Sequence, residues 1–170
     1  MTTRSAVPIS CKPVGALLTG ALLLWMPVAQ AAGMLTRYTD YAFRVLFYLG
    51  VNSDRAVPIS EMARSYDISQ NHLVKVVHDL VKSGYLESVR GRSGGVLLAR
   101  PADQITLGDV IRHTEPDMQL VDCIGCPIAS VCSLPKPLAE ATRAFVEVLD
   151  RHTLADVVNS SNGLEALVGR

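Results

Sequence analysis

Neither sign of charge dominates this 170-residue chain, in which 16 lysines and arginines are matched by 16 aspartates and glutamates. A uniformly basic coat, the crude electrostatic mark of a nucleic-acid binder, is therefore absent. A convincing membrane span is missing as well, because the apolar stretch over residues 14–28 is short and is interrupted at Pro27. The four histidines are scattered, and the glycines do not follow a strand in the manner of a phosphate loop, so no catalytic constellation is assembled. At this length the chain suits one domain with a hydrophobic core, or one domain plus an oligomerisation arm.

The charge balance hides a gradient. Residues 34–101 carry nine positive and six negative side chains, whereas residues 102–170 carry five and ten. A basic front and an acidic back suit a protein that meets phosphates on one side and a partner subunit or solvent on the other.

Within the basic part, Tyr38, Ala42, Val45, Leu46 and Leu49 recur at helical spacing and predict a first amphipathic helix. A polar loop over residues 52–56 follows. Pro58-Ile59-Ser60-Glu61 then opens a short second helix, with Ile59, Met62, Ala63 and Tyr66 inward, ending near Asp67. Ile68 is placed to plug the turn, and Ser69 to cap the next helix with its hydroxyl. That third helix, residues 70–83, has Leu73, Val76, Val77 and Leu80 on one face and Asn71, Lys75, His78 and Lys82 on the other, with Gly84 as its stop. Two short helices joined by a turn of about four residues, the second half dry and half basic, mark a helix-turn-helix. Two β-prone runs, 85–90 and 96–100, flank Gly91-Arg92-Ser93-Gly94-Gly95 and predict a hairpin wing.

Such a module reads DNA with the start of its second helix. Ser69, Gln70, Asn71, His72 and Lys75 are the candidates for the major groove, since Asn and Gln can bond adenine edges and Lys can reach guanine or phosphate. Arg90 and Arg92 at the wing are candidates for the minor groove, and Arg37 at the head of the first helix joins the same set. The plain alternative is an exposed polar face with an ordinary charged hairpin. The order helix, turn, helix, arginine-tipped wing favours double-stranded DNA.

Downstream, Thr106 and Asp109 have capping-box spacing for a short helix containing Leu107, Val110 and Ile111 that ends before Pro116. Three cysteines then fall within ten residues, Cys123-Ile-Gly-Cys126-Pro-Ile-Ala-Ser-Val-Cys132. Three soft thiolates in one loop suit an iron-sulfur cluster of two or four irons, and a fourth ligand is then required. Zinc, completed by His113 or His152, is the lesser alternative, and inert thiols or a disulfide are the others. Beyond the loop, Leu138, Ala141, Phe145, Val148 and Leu149 stripe a long helix that suits packing against a second copy, or else against its own domain.

The first 33 residues imitate a secretory leader, with Arg4 and Lys12 near the start, the apolar run, and Ala29-Gln30-Ala31 as a small-residue cleavage site. Export would carry a thiol cluster and a DNA-reading face into an oxidising compartment. The reading adopted is therefore that translation starts at Met34, which leaves Cys11 and Trp25 without function. A working leader would instead make the chain an exported, disulfide-bearing interaction protein.

Several of these segments resemble one family. Met34-Leu35-Thr36-Arg37-Tyr38-Thr39-Asp40-Tyr41-Ala42, Ile68-Ser69-Gln70-Asn71-His72-Leu73-Val74-Lys75, the wing from Val89 to Gly95, the three cysteines, and Leu149-Asp150-Arg151-His152-Thr153-Leu154-Ala155-Asp156 are together similar to the Rrf-type iron-sulfur winged-helix repressors, in order from Met34 to about Val158. The nitric-oxide-sensing branch is the nearest in pattern. That resemblance implies a cytoplasmic homodimeric transcriptional repressor, with the long helix at the dimer interface and no enzymatic activity. It implies that Cys123, Cys126 and Cys132 hold the cluster, with Asp40 of the partner subunit as fourth ligand. A sister branch uses a histidine three residues beyond its last cysteine, where this chain has Pro135. One departure is visible: only two residues separate Cys123 from Cys126, fewer than the family's usual spacing. A regulator of iron or cluster supply is the rival within the family.

The fold expected is thus mainly α with a small β-wing. A winged helix-turn-helix domain occupies residues 34–101, a short helix and cysteine loop 102–133, a dimerisation helix with a short terminal helix 134–158, and a flexible tail 159–170.

Overall fold

The computed structural model describes residues 35–91 and 94–160. The leader-like segment, Met34, Arg92, Ser93 and residues 161–170 lie outside the described residues.

Helix α1 (Arg37–Val51) starts one residue before the periodic pattern because Thr36 caps it, its hydroxyl accepting the Thr39 amide at 3.3 Å. Its inward stripe includes Ala42, Val45, Leu46 and Leu49, all 1% exposed or less. Helix α2 (Ile59–Ser65) buries Met62 and Ala63, with Ile59 and Tyr66 partly buried against the same core. The turn out of α2 passes through Asp67 at φ 51, and Ile68 packs against the core as expected.

Helix α3 (Gln70–Lys82) buries Leu73, Val76, Val77 and Leu80, the four apolar positions of the pattern. Ser69 stands at its N-cap position, but its side chain makes no capping bond. The expectation of a hydroxyl cap is corrected here: it is the Ser69 carbonyl that accepts, from His72 and Leu73 amides at 3.0 and 3.2 Å. The helix stops at Gly84, whose φ of 75 lets the Gly84 and Tyr85 amides turn back to the Val81 and Leu80 carbonyls at 3.1 and 2.9 Å.

Strands β1 (Leu86–Val89) and β2 (Gly95–Leu98) pair antiparallel, with Leu86 opposite Leu98 and Val89 opposite Gly95. The wing is tied back to the α1–α2 loop, because Val57 and Val96 exchange both backbone hydrogen bonds at 2.9 Å. Gly95 makes that approach possible, since a Cβ there would meet the Val57 carbonyl carbon at 2.5 Å.

A single 3-10 turn (Ala102–Gln104), absent from the sequence pattern, leads to α4 (Leu107–Thr114). Thr106 caps α4 by accepting the Asp109 amide at 3.0 Å, as the capping-box spacing predicts. After the cysteine loop come α5 (Pro135–Leu149) and α6 (Leu154–Ser160). Helix α6 returns to the winged core: Leu154 is fully buried, and its amide bonds the Ile105 carbonyl at 2.8 Å. Residues 159 and 160 of the expected tail belong to this helix, and the rest of that segment lies outside the described residues.

Among the described residues the protein is mostly helical with one two-stranded antiparallel sheet. Its core joins α1, α2, α3, the hairpin, α4 and α6 around Leu46, Met62, Leu73, Leu80, Ile105 and Leu154, all fully buried. Each such side chain contributes roughly 1.5–3 kcal/mol through removal from water. In contrast α5 has no buried residue. Among the described residues no helix is long and apolar enough to cross a membrane.

Candidate functional site

The candidate recognition surface is the outward face of α3, opposite its buried stripe of Leu73, Val76, Val77 and Leu80. Ser69, Gln70, Asn71, His72, Lys75 and His78 are all exposed there. The fold brings the head of α1 beside them: Arg37, Tyr38, Tyr41, His72 and Lys75 line one cavity of about 270 Å³. Tyr41 stacks on His72 with ring centroids 6.4 Å apart and planes at 25°. Two cations beside aromatic walls at the start of α3 form a surface suited to phosphate and sugar. Sequence reasoning misses Tyr41, which along the chain is one more aromatic residue on an amphipathic helix.

It misses Val74 as well. That residue is 43% exposed in the middle of the polar face, and with Val89, 39% exposed, it lines a groove of about 540 Å³ between α3 and the wing. An apolar side chain among hydrogen-bonding ones can meet a thymine methyl group. Arg90 is exposed just beyond β1, and Arg92 lies outside the described residues.

Behind this face, Asp79 on α3 gathers neighbouring elements. The Tyr38 hydroxyl on α1 donates to its Oδ2, and His113 Nε2 on α4 lies 2.6 Å from the same oxygen. Donation from Tyr38 and then from His113 holds the Asp79 carboxyl below its usual range, against the opposing effect of burial. Burial, together with that hydrogen bond to an anion, pushes the Tyr38 phenol well up. His113, one of the two histidines considered for zinc, is therefore engaged with α3.

The thiols occupy a loop of successive turns, with the Cys126 amide bonded to the Cys123 carbonyl at 3.3 Å and the Ala129 amide to that of Cys126 at 3.1 Å. All three cysteines are half-buried and free of disulfides. Their chemistry suits iron or a cluster, since three soft sulfur donors share ten residues. Their placement in one chain does not complete a cage: among the described residues no three His, Cys, Asp or Glu side chains converge as a metal site. Cys123 alone of the three lines a groove of about 640 Å³ that runs along α5 past Leu138 and Val146, with Arg112 and Arg143 also on its walls.

Asp40 is exposed in the first turn of α1. Both of its oxygens are taken by Arg44, Nε to Oδ1 at 3.0 Å and Nη2 to Oδ2 at 3.0 Å. An exposed pair of this kind is worth about 0–1 kcal/mol, so the carboxylate can be drawn away cheaply.

Residues 35–160 match the Rrf2 family, described as iron-dependent transcriptional regulators. The chain is 43% identical over 140 residues to the HTH-type transcriptional regulator NsrR of Bacillus licheniformis, covering 79% of this chain and 98% of that protein. A regulator of the same name from Oceanobacillus iheyensis is 43% identical over 141 residues, covering 79% and 96%. Among solved structures, T. potens IscR superposes with a TM-score of 0.61 at 29% identity, over 74% of this chain and 85% of that one. CymR, the global cysteine regulator of B. subtilis, superposes with a TM-score of 0.61 at 25% identity, over 75% and 98%.

Proposed function

The chain belongs to the Rrf2 family of transcriptional regulators, a family without enzymatic activity, and from that premise we propose a cytoplasmic, homodimeric repressor of nitric-oxide-responsive genes. In this reading it grips double-stranded operator DNA while an iron-sulfur cluster is bound, and nitric oxide relieves the repression. Cys123, Cys126 and Cys132 would hold the cluster, with Asp40 of the partner subunit as fourth ligand. A bound cluster supplies iron–thiolate bonds that nitric oxide displaces.

The observation that carries this reading is the company the thiols keep. Ile124 is 93% exposed, Val131 82% and Ile128 58%, and all three lie between the cysteines on one loop. Leu134 and Val148 add half-exposed aliphatic surface on and beside α5. Apolar surface of this extent around metal-type donors suits cover by a second copy, which would also close the thiol site. A dimer in turn supplies two recognition helices for two half-sites.

The chain's own residues then divide the work. Gln70, Asn71 and Lys75 read or grip the operator in the major groove, while Arg90 and Arg92 of the wing approach the minor groove. Asp40 exchanges Arg44 for the partner's loop, and Arg44 stays beside it as a counter-charge. A tenfold change in operator affinity needs about 1.4 kcal/mol of coupling, a modest demand on such interactions.

Anaerobic purification with an absorption spectrum and operator titration, before and after nitric oxide, tests the proposal. A coloured, iron-containing protein that loses colour and at least tenfold in affinity on exposure is expected. Colourless, iron-free protein that binds its operator at full strength rejects it. The rival within the family is a regulator of iron or cluster supply, and the inducing signal separates the two. Relief of repression by iron limitation but not by nitric oxide would select that one.

A further inference from the structure

Helix α4 ends in three consecutive side chains that each reach another element. His113 Nε2 lies 2.6 Å from Asp79 Oδ2 and 3.1 Å from Ser83 Oγ, both at the C-terminal end of the recognition helix. Asp79 as a carboxylate is an acceptor only, so Nε2 must carry the proton that joins them. Thr114 is buried and accepts from the Thr39 hydroxyl at 2.9 Å, passing its own proton to the Val110 carbonyl at 2.9 Å. Glu115 accepts the Thr36 amide at 2.6 Å and also stands within reach of the Thr39 hydroxyl, which has one proton for the two acceptors. Burial resists ionisation of Glu115, but the bonds from Thr39 and Thr36 prevail and hold its carboxyl below the usual range.

These three residues stand where both attachments of a cluster would pull. Downstream, residues 116–122 lead directly to Cys123. On the other side, Thr36 and Thr39 belong to the cap and first turn of α1, the turn that presents Asp40. Of the three, His113 is the one that reaches the recognition helix.

Taking the cluster-bearing dimer as proposed, we infer that His113 is a positioning residue that sets the recognition helix through Asp79, according to where the cysteine loop and the first turn of α1 are held. Tyr38, donating to the same carboxylate oxygen, makes Asp79 the shared point of α1, α3 and α4. A hydrogen bond to a charged acceptor is directional, so a small movement of α4 changes its strength more than it would change aliphatic packing.

The experiment compares operator affinity with and without the cluster in the full-length dimer, for wild type, His113→Ala, His113→Gln and Asp79→Asn. The glutamine amide can place a donor near the position of Nε2. Iron content should match wild type in all variants. In His113→Ala and Asp79→Asn the ratio of loaded to cluster-free affinity should fall from at least tenfold to within about threefold, and His113→Gln should restore most of it. A ratio that stays at the wild-type value, or two affinities that drop in parallel, overturns the inference and leaves His113 a merely structural residue. Absence of any ratio in wild type removes the cluster-dependent reading and the inference with it, a result distinct from an intact ratio in the variants. Deuterium exchange on the cluster-free protein gives an independent readout. Faster exchange confined to α3 in His113→Ala is expected, and unchanged exchange there counts against the inference.

Discussion

Asp40 and Arg44 stand one helical turn apart on α1, and their two-point pair is the state of the carboxylate within one chain. In the proposed dimer Asp40 would give up this cheap surface pair to hold the cluster, with Arg44 left beside it as a counter-charge. Asp40→Ala is expected to leave operator binding by the cluster-free form unchanged and to lower stability by less than about 1 kcal/mol. Its effect should fall on cluster lifetime or on the nitric oxide response, followed by absorbance decay under anaerobic conditions. Wild-type behaviour in both would remove Asp40 from the ligand set. At the same scale, the grouping of three soft donors in one loop is legible from sequence because it lies in residue type and spacing. Asp79 is not, because one aspartate on an amphipathic helix has no distinguishing pattern until Tyr38 and His113 are folded against it.

Among the elements, α3 matches its pattern most closely: its four apolar positions are its four buried ones, and the opposite face is left to water. In the proposed complex the basic residues Lys75 and Arg92 would act on the operator through phosphates as much as through bases. Lys75→Ala and Arg92→Ala should each weaken operator binding across all sequences. Each should also flatten the dependence of log affinity on log salt by about 0.9 for every phosphate no longer neutralised. Titrations between low and moderate salt measure this, and unchanged affinity in both variants would discredit the surface. The cap of α3 escapes the sequence rule, because Ser69 has the right residue type at the right place while its hydroxyl is not turned onto the helix amides. The α4 cap obeys it, with Thr106 accepting the Asp109 amide.

For the whole molecule, the decisive contrast is between a winged core that buries its apolar residues and an α5 that buries none. Surface so rich in aliphatic side chains around one helix and one loop suits association of two copies. Val148→Glu, at a position 49% exposed in one chain, should convert the proposed dimer to a monomer in sedimentation at micromolar concentration while leaving the helical circular dichroism intact. Operator affinity should fall at least tenfold, because one recognition helix then meets one half-site. A variant that remains dimeric would place the interface elsewhere.

The sequence by itself determined what depends on neighbours along the chain. Periodicity of apolar residues specified α1 to α4, glycines and β-prone runs specified the wing, a threonine at capping distance started α4, and three thiols in ten residues announced soft-metal chemistry. Only the tertiary structure decided which distant groups meet. It returned α6 to the core beside Ile105, set the head of α1 against His72 and Lys75, and joined Tyr38, Asp79 and His113 across 34 to 41 positions of sequence. The reason is physical: helix and turn signals arise from backbone geometry within a few residues, whereas a hydrogen bond between helices requires an orientation that packing alone supplies.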